Sequence, residues 1–343
     1  MIGVEYYYTI IKQIYKKARF LFEFLSFFLY NTNMQSVNEQ QSDGMRSLPP
    51  HSALQDAGFT FSLACVLPVV LSFFVVIIGG GIAGDGYENS QWYRYVCFLV
   101  PQCCFCLAAF FFFKKTKTGI KPVCLTRCKW YYFAVAVVLQ FGLFSLSGLN
   151  TFFVDWLAGL GYDAEKYTVK LPDLSGGWIV LAILVIAVLP AIFEETLFRG
   201  ILLKTMKDSG WGTAGIVLIS GALFSLFHQN PVQTLYQFFC GACFALIAVR
   251  SGSMLPTVLS HFLNNAVVLI LSACGLDSFG GVAFYVVSGI CLAGALTFLV
   301  FFDGRGKNRG KLFGIKRFLL FAAIGMVVCA VQWITVLVSG FSG

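Results

Sequence analysis

Long stretches without a single Asp, Glu, Lys or Arg divide this sequence of 343 residues. A membrane-spanning helix needs about 20 mostly apolar residues to cross roughly 30 Å of hydrocarbon. The uncharged stretches on that scale are residues 57–84, 95–113, 130–154, 174–193, 209–249, 251–276, 278–302 and 318–343. The fifth is long enough for two helices, with a turn predicted at Gln229, Asn230 and Pro231. The sequence therefore predicts an all-α, polytopic membrane bundle of about nine transmembrane helices.

The composition excludes a soluble enzyme and a nucleic-acid-binding chain. Charged residues make up 12% of the sequence and hydrophobic residues 58%, whereas a soluble domain has about a quarter charged residues. The net charge of +8 does not indicate a nucleic-acid partner, because the basic residues lie in short clusters between uncharged stretches. We expect a multi-pass protein of the cell membrane, surrounded by the lipid bilayer.

Basic residues follow every second predicted span, and the alternate loops are mostly acidic. Because cytoplasmic loops carry an excess of Lys and Arg, we expect the N-terminus inside and the C-terminus outside. The basic loops contain Lys114, Lys115, Lys117, Lys121, Arg127, Lys129, Lys204, Lys207, Arg250, Arg305, Lys307, Arg309, Lys311, Lys316 and Arg317. The alternate loops contain Arg94, Lys166 and Lys170 beside Asp85, Glu88, Asp155, Asp163, Glu165, Asp173 and Asp277.

The chain is predicted to have four parts. Residues 1–56 form a cytoplasmic or interfacial N-terminal segment with a polar linker, and mixed aromatic and charged residues over 6–30 suit a helix in the membrane interface. Residues 57–175 hold the first three transmembrane helices. Residues 176–275 form a membrane core that contains the polar residues discussed next, and residues 276–343 hold two C-terminal transmembrane helices.

Ionisable side chains occur inside a few of the apolar stretches. Glu194 and Glu195 lie in an otherwise apolar helix, and His228 and His261 lie in two later ones. Charge in the bilayer costs at least a few kcal/mol per group, so such residues are candidates for a functional site.

Helical spacing sorts these residues into different environments. Glu195 and Arg199 are four residues apart and can neutralise each other. Glu194 lies about 100° round the helix and has no such partner. The same spacing of four residues joins Phe224 to His228, and His261 to Asn265.

This set of side chains fits the hydrolysis of an amide by water. A buried carboxylate can act as general base, and a histidine across the cleft can orient the same water. A second histidine with an asparagine can donate hydrogen bonds to the developing oxyanion. The sequence has neither a Gly-x-Ser-x-Gly elbow nor a His-Glu-x-x-His helix, the signatures of two competing mechanisms.

Three motifs in order resemble the CAAX-prenyl-protease and bacteriocin-processing (CPBP) family of intramembrane endopeptidases. They are Glu-Glu-x-x-x-Arg (Glu194, Glu195, Arg199), Phe-x-x-x-His (Phe224, His228) and His-x-x-x-Asn (His261, Asn265). The resemblance covers about residues 181–271, with no departure at a motif position. It implies CAAX-box-type processing of a membrane-bound peptide or protein substrate, which we expect to be cut near the cytoplasmic side.

The resemblance also implies roles for these residues. Glu194 and His228 would activate the water, and His261 and Asn265 would form the oxyanion hole. Glu195 and Arg199 would support the site, and Phe224 would pack against the histidine.

The same residues leave metal dependence open. Glu194, His228 and His261 could hold Zn²⁺ or another divalent ion with an open position. Asparagine is a poor zinc ligand, and no third His or Cys reaches the site. A metal-free glutamic mechanism without a cofactor is therefore preferred.

Two other function classes fit the same residues. A proton-coupled transporter could use Glu194 and the histidines as a relay, although no internal repeat with a matching acidic helix is present. A non-catalytic immunity or scaffold protein could keep the same fold.

Overall fold

The computed structural model describes residues 50–84, 86–167, 170–276 and 279–341. Within these ranges the chain contains helices and no β-strand, so the predicted all-α class is confirmed. The helices are α1 Pro50–Ala83, α2 Gln91–Thr116, α3 Ile120–Cys124, α4 Tyr131–Leu143, α5 Leu146–Gly159, α6 Trp178–Asp208, α7 Thr213–Phe227, α8 Thr234–Ser251, α9 Leu255–Ala273, α10 Val282–Phe302 and α11 Ile315–Phe341.

The number of spans is close to the prediction. Eight helices in the described ranges are long and apolar enough to cross a membrane, with α4 and α5 counted as one span. The ninth predicted span is α7, which has 15 residues and a length of about 22 Å. It is shorter than the others because the chain turns after Phe227. The orientation of the bundle stays a prediction.

The first span begins earlier than predicted. Helix α1 starts at Pro50 rather than at residue 57 and includes the acidic Asp56. The Asp56 carboxylate is buried and pairs with the Lys115 ammonium of α2 at 2.8 Å. This partner lets a charged residue continue the helix. The predicted interfacial helix at residues 6–30 lies outside the described residues.

Helix α6 lies at the centre of the bundle, packed against α1, α2, α7, α8 and α9. Its hydrogen bonding changes along its length, because Ile183–Val188 and Thr196–Leu203 are π-helical. The α-helical segment between them, Leu189–Glu195, ends with the two glutamates. Short π-helical segments inside α-helices are frequent at functional sites.

Close approach of α4 and α10 depends on Gly142. A Cβ atom built on Gly142 would lie 2.5 Å from the Leu292 backbone nitrogen, whereas one built on Gly294 of α10 would have no neighbour within 4 Å. We expect Gly142→Ala to lower the free energy of unfolding by about 1–3 kcal/mol through overpacking. Gly294→Ala is the control and should raise it by roughly 0.5–1 kcal/mol through helix propensity. Thermal unfolding in detergent measures both, and equal effects would contradict the prediction.

Candidate active site

The four predicted catalytic residues line one cavity of about 1560 Å³. Glu194 comes from α6, His228 follows α7, and His261 and Asn265 come from α9. Phe224 also lines the cavity, whereas Glu195 and Arg199 are not among its lining residues. Residues far apart in the sequence therefore meet at one surface.

Glu194 is a buried carboxyl group at the cavity wall. Its Oε1 accepts a hydrogen bond of 3.4 Å from the Gln102 amide of α2. Its Oε2 has no hydrogen-bond partner among the described residues and lies 3.9 Å from His261 Nε2. A buried polar atom without a hydrogen bond costs about 1–3 kcal/mol, more if charged. Glu195 Oε2 also has no partner among the described residues, so what sets Glu194 apart is its place on the cavity wall.

Glu195 has partners that Glu194 lacks. Its Oε1 accepts hydrogen bonds from Arg199 Nη1 at 2.8 Å and from His261 Nδ1 at 2.9 Å. Arg199 also donates to the Gly241 carbonyl at 2.9 Å, and its guanidinium lies 4.6 Å from the Phe224 ring centroid. One buried arginine therefore neutralises one glutamate and connects α6 to α8.

The early end of α7 holds His228 at the cavity. His228 Nδ1 lies 2.8 Å from the Phe224 carbonyl oxygen. A carbonyl can only accept, so Nδ1 carries the hydrogen and Nε2 of the neutral ring keeps its lone pair. The next residue, Gln229, has φ of 54°, a left-handed conformation that is uncommon without glycine. The helix thus ends at this turn, and the hydrogen bond to the Phe224 carbonyl sets the tautomer of His228.

His261 lies between the two glutamates. Because the Glu195 carboxylate accepts from Nδ1, only Nε2 is left to face Glu194. Neutral His261 would present a lone pair there. A doubly protonated His261 would present a donor there.

Asn265 hydrogen-bonds a backbone carbonyl of α6 that a proline leaves without its helical donor. Pro190 has no N–H to donate to the carbonyl of residue 186, four positions earlier. The Asn265 amide donates to that Ile186 carbonyl at 3.0 Å. An amide nitrogen carries two hydrogens, so one remains for a group in the cavity.

Several neutral residues of the site were not predicted from the sequence. Gln102 lies in α2, outside the predicted core of residues 176–275. Asn264 accepts from Tyr236 at 2.7 Å and from Gln140 at 3.0 Å, and donates to Asn265 Oδ1 at 3.1 Å. Amides inside apolar helices carry no charge, so the criterion of an ionisable group within a span does not select them. Their polarity inside a span was the signal that could have found them.

Whether the site uses a metal ion stays a prediction. Within the described ranges, no group of three or more His, Cys, Asp or Glu side chains is placed to hold one. His261 Nδ1 is engaged by Glu195, which leaves its Nε2, the Glu194 carboxylate and His228 Nε2. These three groups are the candidate ligands, and no chemical step is assigned to a metal.

Comparison with known proteins finds a family that the central part of this chain matches. Residues 176–267 match the family described as type II CAAX prenyl endopeptidase Rce1-like. A curated protein of Escherichia coli, an uncharacterized 24.3 kDa protein, is 35% identical over 107 residues, which are 30% of this chain and 49% of that protein. The chain thus spans about half the length of this relative. No solved structure matches the chain. The resemblance seen in the three motifs is confirmed, because the match over residues 176–267 to the Rce1-like type II CAAX prenyl endopeptidases is consistent with a CPBP-family protease.

Proposed function

We propose that this multi-pass membrane protein is an intramembrane endopeptidase of the glutamic type. It would hydrolyse a peptide bond in a membrane-associated protein or peptide, in the manner of the CAAX proteases. The observation that carries the proposal is the Glu194 carboxyl group, buried at a cavity wall with one oxygen lacking a hydrogen-bond partner among the described residues and facing His261. The family match over residues 176–267 supports the reaction class.

Glu194 and His228 activate the water. A water hydrogen passes to the Glu194 carboxylate while the water oxygen bonds to the peptide carbonyl carbon. His228 is anchored through Nδ1 to the Phe224 carbonyl, so its Nε2 accepts the second hydrogen bond of the water. The proton on Glu194 then passes to the amide nitrogen as the carbon–nitrogen bond breaks.

His261 and Asn265 stabilise the oxyanion of the tetrahedral intermediate. The free N–H of the Asn265 amide is one donor, because the other is held by the Ile186 carbonyl. His261 Nε2, on the side of the ring that faces Glu194, donates to the oxyanion when it carries a hydrogen. Removing one such donor costs about 10²–10³-fold in turnover.

A reconstituted cleavage assay tests this proposal. The purified chain in liposomes is incubated with a panel of single-span and lipid-anchored peptides, and products are identified by mass spectrometry. We expect cleavage at a defined bond in at least one peptide. Absence of cleavage across the panel, combined with coupled proton and solute uptake by the same liposomes, would favour the transporter instead.

Metal dependence is tested in the same assay. A glutamic mechanism needs no metal, so we expect a chelator to leave the cleavage rate unchanged. Loss of activity on chelation that is restored by added zinc would contradict the metal-free mechanism. Glu194, His228 and His261 would then be the ligands to test by substitution.

A further inference from the structure

The cavity reaches only one end of the bundle. Its lining includes Asp173 and Ser175 from the connection between α5 and α6, Gln233 between α7 and α8, and Leu276 between α9 and α10. All three connections belong to the alternate loops, which are poor in Lys and Arg. We call the end of the bundle where these loops lie the acidic end. The connections α2–α4, α6–α7, α8–α9 and α10–α11 are the basic loops, and they lie at the opposite end, the basic end. None of the described lining residues comes from these four connections.

Hydrogen bonds between loops and helix ends hold the basic end together. The Trp211 side chain is buried and donates to the Phe313 carbonyl at 2.7 Å. Thr213 N donates to the Asn308 carbonyl at 2.9 Å. Arg250 donates to the Leu299 and Arg305 carbonyls at 2.7 and 3.0 Å. These contacts join the α6–α7 connection, the start of α7 and the end of α8 to the end of α10 and the α10–α11 connection.

We propose that the cavity admits its substrate from the extracytoplasmic side of the membrane. Basic loops face the cytoplasm, so the acidic end, where the cavity opens, faces the opposite side. This replaces the expectation of a cut near the cytoplasmic side. The substrate class, which rests on the proposed function, is then an exported or membrane-anchored polypeptide whose cleavage site lies beyond the cytoplasm.

The wall chemistry fits an internal stretch of extended peptide. The cavity volume of about 1560 Å³ exceeds the roughly 300–1,000 Å³ of small-molecule pockets. Its wall carries carboxamides such as Asn150, Gln233 and Gln237, which can both donate to and accept from a peptide backbone. No Lys or Arg is among the described lining residues, so a free C-terminal carboxylate would find neither an ammonium nor a guanidinium group there.

Thiol labelling measures the side of access without requiring activity. Ser175→Cys reports on the cavity mouth, Gln237→Cys on its interior wall, and Lys307→Cys on the basic end. Each variant is expressed in a bacterial inner membrane and treated with a membrane-impermeant maleimide, in spheroplasts and in inverted vesicles. Peptide mass mapping separates the new thiols from the native ones, and thermal unfolding identifies variants that fold like the parent.

We expect labelling at positions 175 and 237 in spheroplasts and its loss in inverted vesicles, with the reverse at position 307. Labelling of positions 175 and 237 only in inverted vesicles would overturn the proposal. Failure of the maleimide to label position 237 in the preparation that labels position 175 would also overturn it. A peptide cleaved by the reconstituted chain is then added to both preparations, and cleavage should occur with spheroplasts alone. If the labelling is as expected but the reconstituted chain cleaves no peptide of the panel, the proposed function is rejected and the side of access stands.

Discussion

Glu194→Gln should abolish peptide cleavage while the protein folds normally. The amide keeps the shape of the side chain and an oxygen for the Gln102 hydrogen bond, but it cannot take a proton from water. Loss of a general base lowers turnover by about 10²–10⁴-fold. The cleavage rate in liposomes, measured with saturating peptide, gives this ratio. A variant that retains the parental rate would contradict the catalytic role of Glu194.

The thermal stability of this variant carries a second expectation. Glu194 Oε2 is buried without a hydrogen-bond partner in the described part of the chain, so the neutral amide should not lower the unfolding temperature. Glu165→Gln is the matched control, because Glu165 is an exposed carboxylate that does not line the cavity. It should leave both cleavage and stability at the parental level. If Glu194→Gln instead unfolds the chain, its role is structural and the hydrolase proposal loses its support.

The bundle was largely predictable because its signal is local. Each span is an uncharged run of sufficient length, so the all-α class and nearly all spans follow from the sequence alone. The ends were less accurate. Helix α1 extends to Pro50 because Asp56 forms an ion pair with Lys115 of another helix. The sequence of the first span alone cannot predict a pair between residues so far apart in the chain. Helix α7 is short because of a turn whose left-handed residue is a glutamine.

The candidate site was predictable where charge marked it. Glu194, His228 and His261 stand out in apolar surroundings, and all three line the same cavity. Their catalytic roles remain proposals. The π-helical segments around the glutamates have no signature in the apolar pattern of the sequence, because their spacing depends on how α6 packs against its neighbours.

One missed contact could have been derived from elementary chemistry. Pro190 lies inside a predicted span, where its missing N–H leaves the Ile186 carbonyl without its helical partner. A polar side chain from a neighbouring helix is needed to satisfy that carbonyl in a bilayer. The structure supplies Asn265. Gln102 and Asn264 could not be assigned in this way, because many neutral amides occur along the chain.

Arg199→Met should destabilise the fold far more than it alters the chemistry of the cavity. The substitution leaves the Glu195 carboxylate buried without its cation and removes the hydrogen bond to Gly241. Breaking a buried ion pair at one partner costs about 3–5 kcal/mol. Arg199→Lys should also be costly, since an ammonium cannot reproduce a planar fork that contacts Glu195, Gly241 and the Phe224 ring. Thermal unfolding in detergent measures the loss.

The double variant Glu195→Gln with Arg199→Met shows whether Arg199→Met destabilises the fold by leaving the Glu195 charge unpaired or by a packing defect. Removing both charges leaves no uncompensated ion, so the double variant should be more stable than Arg199→Met alone. Arg317→Met is the control, because Arg317 is exposed and its loss should change the free energy of unfolding by no more than about 0.5 kcal/mol. Additive losses in the double variant would mean that Glu195 and Arg199 act independently. The two adjacent glutamates would then not divide into one that stabilises the fold and one that is free to react.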